Sequence, residues 1–389
     1  KAFGMGDREW NAPNTVKTRF ELGSITKQFT ASCILQLAEN GKLNLDDKLS
    51  KYFHGYPKGD SVTIHMLLTH TSGISSYTSL PNFMSLSTLS LSKDSMISYF
   101  RDKPYDFSPG TKWNYSNSGY FLLGYIIEKV SGLSYRDYLY EHVIKKAGLQ
   151  NTDANRWDTI LPFRARGYSK NGLTYRNASF ISMEWPYSAG MLYSTVEDLY
   201  QWDKALHSGK IISPSMLVKM KTVYMNHYGY GLFIDSLKNH LRINHGGGIP
   251  GFITANDYFP NEDVVVIVLS NNESNSGEVS AALASTLFDL PVTLPSRPKA
   301  VQIKTEILQK YIGKYKLNED FTFELYTKDK KLYAHTTNGD IEFIPESDTR
   351  FFVASDPGQE ILFEVDKIGS VIKIYALHGD SKMEIQKLQ

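Results

Sequence analysis

The chain has 389 residues, beyond the roughly 250–300 at which one hydrophobic core stops growing, so two domains are expected. Its 41% hydrophobic and 21% charged residues are those of a globular protein, and 25 Tyr and 20 Phe suit β-rich segments and broad clefts. A net charge of +1 excludes an electrostatic case for nucleic acid or an anionic membrane, and the single cysteine, Cys33, excludes an internal disulfide and a Cys-based metal site.

No stretch reaches the roughly 18 apolar residues of a membrane span. The histidines show no paired spacing such as H-E-x-x-H, so neither a metal nor another cofactor is expected. The opening residues, KAFGMGDREWNAPNTVKTRFELGS, read as a strand and turn already under way. A trimmed N-terminus is therefore expected, and the lack of a targeting segment carries little weight.

The first helix starts at Ser24. Ile25, Phe29, Cys33, Ile34 and Leu37 recur at helical spacing on an amphipathic pattern, and Asn40-Gly41 supplies the stop. Ser24 then stands at the helix N-terminus with Lys27 one turn further on the same face, and Cys33 is a small buried thiol. Helices follow at 116–130, closed by Ser131-Gly132, and at 134–146, closed by Gly148. Ser194-Thr195-Val196-Glu197 reads as a capping box opening a helix through Trp202 and Leu206. From Tyr228 the pattern turns to strands at 228–234, 242–245, 252–259 and 264–269, the last two joined by a turn at 260–263. A helix at 277–288 precedes LPVTLPSRPKA, whose Pro291, Pro295 and Pro298 mark a linker over 291–305. Residues 306–389 read as short strands at 321–326, 332–336, 341–344, 351–354, 361–365 and 371–377, a small barrel or sandwich.

Three motifs carry chemistry. Ser24-Ile25-Thr26-Lys27 is S-x-x-K: a serine hydroxyl needs something to take its proton, and a lysine at i+3 can do so if its pKa is lowered. The helix N-terminus adds N–H groups near a developing oxyanion. Tyr115-Ser116-Asn117 offers a phenol as general base and acid, if nearby cations depress its pKa, and an amide for a substrate amide. His245-Gly246-Gly247-Gly248 ends a strand, where glycines let a ligand lie against the backbone, and the Gly248 N–H joins that of Ser24 as an oxyanion hole.

Each motif alone also reads as a cap or turn. S-x-x-K recurs at Ser90–Lys93 in a polar loop, at Ser296–Lys299 in the linker and at Ser370–Lys373 in the tail. Y-x-N recurs at Tyr175 and Tyr224, and H-x-G at His207. Only Ser24 combines a strand-like approach, a preceding Gly and a helix behind it, and only the joint order of the three motifs is hard to reach by chance.

In that order the chain resembles the serine β-lactamase and penicillin-binding-protein superfamily, in its branch of class C β-lactamases, DD-peptidases and esterases. FELGSITKQFTA (20–31), GKLNLDDKL (41–49), LLTHTSGI (67–74) and SPGTKWNYSNSGYFLLG (108–124) support the likeness over roughly 1–290. The resemblance implies an α+β fold: an antiparallel sheet flanked by helices, a helical subdomain, and the active site between them. Ser24 would form the acyl-enzyme, Lys27 and Tyr115 would share proton transfer, and Asn117 would hold the substrate amide. His245, Gly247 and Gly248 would line the substrate, and His70 would order a loop.

His245 stands where β-lactamases of this branch carry Lys, and a neutral imidazole holds a carboxylate less strongly. That favours a penicillin-binding DD-carboxypeptidase or D-amino-acid peptidase over a β-lactamase, a carboxylesterase or a sensor that is acylated without turnover. The implied substrates are D-amino-acid peptides, β-lactams or esters, met outside the cytoplasm. The implied first strand is absent ahead of Lys1, which leaves a sheet edge to cover. The tail, with YIGKYKL at 311–317, resembles a small lipocalin-like barrel.

Overall fold

The computed structural model describes residues 1–156, 158–171, 174–292, 298–318, 321–336, 339–378 and 381–388. Two compact units are present: residues 1–169 with 177–290, and residues 170–176 with 291–389.

In the first unit, helix α1 (Thr26–Glu39) follows a 3₁₀ turn (Gly23–Ile25). The turn is approached by Phe20–Glu21, which pairs antiparallel with Leu192–Ser194. The amphipathic expectation does not hold, because every residue from Thr26 to Leu37 is buried. Its polar side chains are paired instead: Trp202 Nε1 donates to Gln28 Oε1 at 2.8 Å, and Thr30 donates to the Ser188 carbonyl at 2.6 Å. Gln36 donates to the carbonyls of His142 and Ile211. A helix surrounded by protein keeps polar residues only where they are bonded.

Helix α2 (Asn117–Ser131) is capped by Ser116 and closed by Gly132 at φ 75°. The run after Ser134 is helical as expected, but its middle, Tyr140–Ile144, is π-helical. Helix α3 (Val196–His207) corrects the cap: Thr195, not Ser194, accepts from Asp198 N–H at 3.2 Å. The Ser194 hydroxyl is turned instead to Thr152. Ser92 also leaves its expected loop; it caps Lys93–Arg101, and Lys93 pairs with Glu128.

The main sheet is an antiparallel meander, β1 (Phe233–Leu237), β2 (His240–Ile249), β3 (Phe252–Phe259) and β4 (Val264–Ser270). The strand expected over 228–234 begins only at Phe233. Gly231 (φ 71°) brings this segment so close that a Cβ would lie 2.6 Å from the Lys27 carbonyl, so residues 229–231 follow α1 rather than the sheet. Strand β2 extends past His245 because Gly246, Gly247 and Gly248 pair with Ala255, Thr254 and Ile253. Helix α4 (Ser276–Leu287) packs through Ala284 against Phe259 and Val266. In the described sheet β4 is an edge strand. The opening hairpin, Met5–Asp7 with Ala12–Pro13, forms its own two-stranded sheet.

In the second unit, nine antiparallel strands make a nearly closed barrel: β5 (Gly313–Asn318), β6 (Phe321–Lys328), β7 (Lys331–Thr336), β8 (Gly339–Pro345), β9 (Arg350–Val353), β10 (Gln359–Val365), β11 (Val371–His378), β12 (Ser381–Glu384) and β13 (Gln386–Lys387). Three of these, β5, β12 and β13, lie outside the expected strands. The last run changes partner at Ile385: β12 pairs with β11, and β13 pairs with β5, drawing the two ends together. Pro291 and Pro298 flank the linker, whereas Pro295 and Ser296 lie outside the described residues. Among the described residues no helix is long and apolar enough to cross a membrane.

Gly124 is the tightest helix contact. A Cβ there would stand 2.1 Å from Ser188 Oγ and 2.7 Å from the Tyr187 ring. Gly→Ala inside a helix ordinarily stabilises, but overpacking of this kind costs about 1–3 kcal/mol. Gly124→Ala is expected to lower the urea midpoint at unchanged m-value.

Candidate active site

Ser24 sits half-buried in the 3₁₀ turn, and Lys27 is wholly buried behind it. The Lys27 Nζ lies 3.0 Å from Ser24 Oγ, 2.8 Å from Asn117 Oδ1 and 2.7 Å from the Ala189 carbonyl. Among the described residues no carboxylate pairs with it, and burial pushes its pKa well below the usual lysine value. The two carbonyl oxygens can only accept. In its neutral form the amine spends both N–H groups on them and can turn its lone pair to the Ser24 hydroxyl.

Tyr115 lies beside this pair, its ring centroid 4.8 Å from Lys27 Nζ. Its hydroxyl is buried with no hydrogen-bond partner among the described residues. Burial raises its pKa, and its interaction with Ser24 lowers it by less. The expected depression by a nearby cation is thus reversed, because the amine beside it is itself dry. Tyr115 is a phenol, not a phenolate, in this arrangement.

His70 holds the approach to Tyr115. Its carbonyl accepts from Asn114 N–H at 3.0 Å, and its Nδ1 accepts from Ser116 N–H at 3.1 Å. That places its proton on Nε2, and its ring lies tilted against the Tyr115 ring with centroids 4.2 Å apart. The loop-ordering role expected of His70 has a concrete form here: one residue fixes the backbone on both sides of Tyr115.

Asn117 is held from two sides. Its Oδ1 accepts from Lys27, and its Nδ2 donates to Thr78 Oγ1 at 3.1 Å. Its backbone N–H donates to Ser76 Oγ. Thr78, Ser76 and the Ala189 carbonyl carry no sequence signal, since a serine-rich loop and a main-chain oxygen belong to no motif.

His245 departs from its expected place on the substrate. Only 2% exposed, it donates from Nδ1 to the Gly246 carbonyl at 2.5 Å and accepts on Nε2 from Tyr228 Oη at 3.1 Å. Burial pushes its pKa down to about 3. A neutral ring with both nitrogens engaged sits behind the cleft wall and offers a carboxylate nothing. Gly247 is also structural in its contacts: a Cβ would fall 1.9 Å from the Leu22 carbonyl. Gly248 alone of the three motif glycines reaches the cleft, where its backbone abuts the turn. A Cβ on Gly23 (φ 56°) would meet Gly248 N at 2.8 Å.

The cleft encloses about 110 Å³ and is walled by Ser24, Asn117 and Gly248 together with Tyr77, Phe83 and Ile181. Among the described residues no group of three or more His, Cys, Asp or Glu side chains could hold a metal. The other motif copies are elsewhere: Ser370 and Lys373 belong to the second unit, and His207 is stacked on Tyr258.

The His245 geometry makes a pH prediction. A folded pKa near 3 against an ordinary 6.5 means that the unfolded chain binds this proton first as the pH falls. The His245 contribution is present above about 6.5 and lost downwards toward 3, at about 1.4 kcal/mol per pH unit. Urea titrations at pH 7 and 5 are expected to show a smaller loss of stability in His245→Gln than in the parent.

Known proteins resemble this arrangement. A family model described as beta-lactamase matches residues 1–287, and one described as a domain of unknown function matches residues 297–388. The putative penicillin-binding protein PbpX of Bacillus subtilis is 33% identical over 279 residues, 71% of this chain and 68% of its own. Penicillin-binding protein 4* of the same organism is 29% identical over 382 residues, 90% of this chain and 84% of its own. The crystal structure of a D-stereospecific amidohydrolase from a Streptomyces species superposes with a TM-score of 0.65 at 27% identity, covering 70% of this chain and 88% of that one.

Proposed function

This chain belongs to the β-lactamase family of serine hydrolases, and on that premise we propose that it is a penicillin-binding DD-carboxypeptidase or D-amino-acid peptidase working through an acyl-enzyme on Ser24. The observation that carries the reading is the buried Lys27 amine, whose Nζ stands within hydrogen-bonding distance of two pure acceptors and of the Ser24 hydroxyl.

In this mechanism Lys27 takes the Ser24 proton as Oγ attacks the substrate carbonyl carbon. The tetrahedral oxyanion is met by the Ser24 and Gly248 N–H groups. Collapse breaks the bond to the leaving amine or alcohol, which takes a proton by way of the Tyr115 phenol, replaced from Lys27. Water then attacks the ester by the reverse route, with Lys27 again as base. Asn117 orients the acyl group while holding the amine in place.

Two further features support a small substrate of D configuration. A cleft of about 110 Å³ suits a small side chain beside the reacting carbonyl. The relatives named as penicillin-binding proteins and as a D-stereospecific amidohydrolase act on, or bind, chemistry of this kind by their names. The neutral, enclosed His245 leaves no permanent cation at that position for a substrate carboxylate, whether of a β-lactam or of a C-terminal D-amino acid, so carboxylate recognition is not routed through it.

The test is intact-mass spectrometry with a fluorescent penicillin, alongside hydrolysis of a D-alanyl-D-alanine peptide and its L,L isomer. The expected result is a +1 penicillin adduct and D-selective hydrolysis, both absent in Ser24→Ala. Lys27→Ala is expected to slow acylation by about 10²–10⁴-fold. Lys27→Arg is expected to fail equally, because guanidinium keeps its proton. Equal cleavage of both isomers would overturn the D-specific reading, and activity surviving Ser24→Ala would overturn the acyl-enzyme. Rapid loss of the penicillin adduct with release of opened drug would make the protein a β-lactamase instead.

A further inference from the structure

The barrel of the second unit is filled at one end and hollow at the other. Alternation along each strand assigns the inward positions. At the filled end large side chains meet: Tyr311, just ahead of β5, stacks on Phe363 with centroids 3.8 Å apart, and the inward Tyr315, Phe351, Leu325 and Leu332 belong to the same buried cluster. On two of these strands the inward positions shrink toward the other end, while β6 keeps Phe323 and Phe321 there. Leu332 on β7 gives way to Ala334 and then Thr336, and Ile374 on β11 gives way to Ala376. Strand β12 enters with Ser381.

These small residues leave a cavity of about 300 Å³, bounded largely by apolar side chains. Its rows follow from the register. Ile361, Ala376 and Met383 lie opposite one another across β10, β11 and β12, and Ala334 lies opposite Ile341. Polar groups gather at the mouth, where Gln359, His378 and Ser381 end their strands. Among the described lining residues the one carboxylate, Glu360, is ion-paired with Arg350. Protein interiors are packed to crystal density, and a void many methylenes across is destabilising unless something occupies it. An apolar void of this kind excludes water and takes up hydrocarbon. Its volume lies at the lower bound of small-molecule sites, roughly 300–1,000 Å³.

We propose that the hollow end of this barrel is a binding site for one lipophilic small molecule, with a hydrocarbon body among Phe323, Ala334, Phe343, Ile361 and Ala376 and a single hydrogen-bonding head at the mouth. The site is separate from the serine chemistry of the first unit and does not depend on it. Among the described lining residues the one carboxylate already has its cation, so a neutral ligand is the one proposed.

The experiment is a fluorescence titration of the full chain with N-phenyl-1-naphthylamine, a neutral apolar probe, followed by displacement with 1-decanol. The expected result is saturable binding at one probe per chain, reversed by the alcohol. Ala376→Phe, which fills the void from its own wall, is expected to weaken binding at least tenfold while its thermal melting temperature holds or rises. Ala334→Leu is a smaller plug from the opposite side and carries the test if Ala376→Phe does not fold. Absence of saturable binding in the parent would overturn the proposal. So would unchanged affinity in a folded filled variant, which would place the probe elsewhere on the protein.

Discussion

The site depends on keeping one amine dry. Lys27 has no carboxylate to neutralise it among the described residues, so enclosure alone sets its protonation, and enclosure must be complete. That requirement explains why α1 is buried around its whole circumference and why its polar side chains are bonded in pairs. It also explains why the partners of Nζ come from three places: the turn before α1, the start of α2 and the short helix at Tyr187–Gly190. Moving any of the three would admit water or remove an acceptor, and either change returns the amine toward its charged form.

Close enclosure is achieved with glycines rather than with side chains. Gly23, Gly231 and Gly247 each bring backbone against backbone, on Gly248, on the Lys27 carbonyl and on the Leu22 carbonyl. Two of them hold positive φ, so a side chain would meet both strain and collision. The main-chain dipoles at the nucleophile turn are thereby fixed before any substrate arrives, which is the condition for electrostatic catalysis without reorganisation. Behind them the rings of His70, Tyr115, Tyr228 and His245 form a neutral layer: both imidazoles are driven below their ordinary pKa and both phenols above theirs. A charge in that layer would compete with the proton that the mechanism moves.

The two units solve packing in different ways. The first wraps helices around a buried helix and uses polar pairs to keep it specific. The second is one antiparallel sheet rolled nearly shut, whose interior opens where β7 and β11 carry Ala334, Thr336 and Ala376. Both end with a cavity that the residue sizes make, but one is lined by a nucleophile and the other by hydrocarbon.

The sequence by itself determined what short-range chemistry can encode. Helical spacing from Ile25 to Leu37 placed Lys27 in the first turn of α1 with Ser24 at its entrance, and turn residues placed β3 at 252–259 to the residue. Gly132 and Gly148 placed helix ends, and the order of the three motifs pointed to the family. What it left open is decided by contacts between distant segments. Whether the phenol of Tyr115 loses or keeps its proton depends on how dry the pocket is, and burial arises only when α1, α2 and β2 close together. His245 stands at the expected place along the chain, yet the side on which its ring lies follows from a hydrogen bond to Tyr228 across the sheet. Strands β12 and β13 are too polar in pattern to announce themselves, and they exist because β11 and β5 present unpaired edges to them. Local pattern sets which groups are present, and tertiary enclosure sets their charge and their direction.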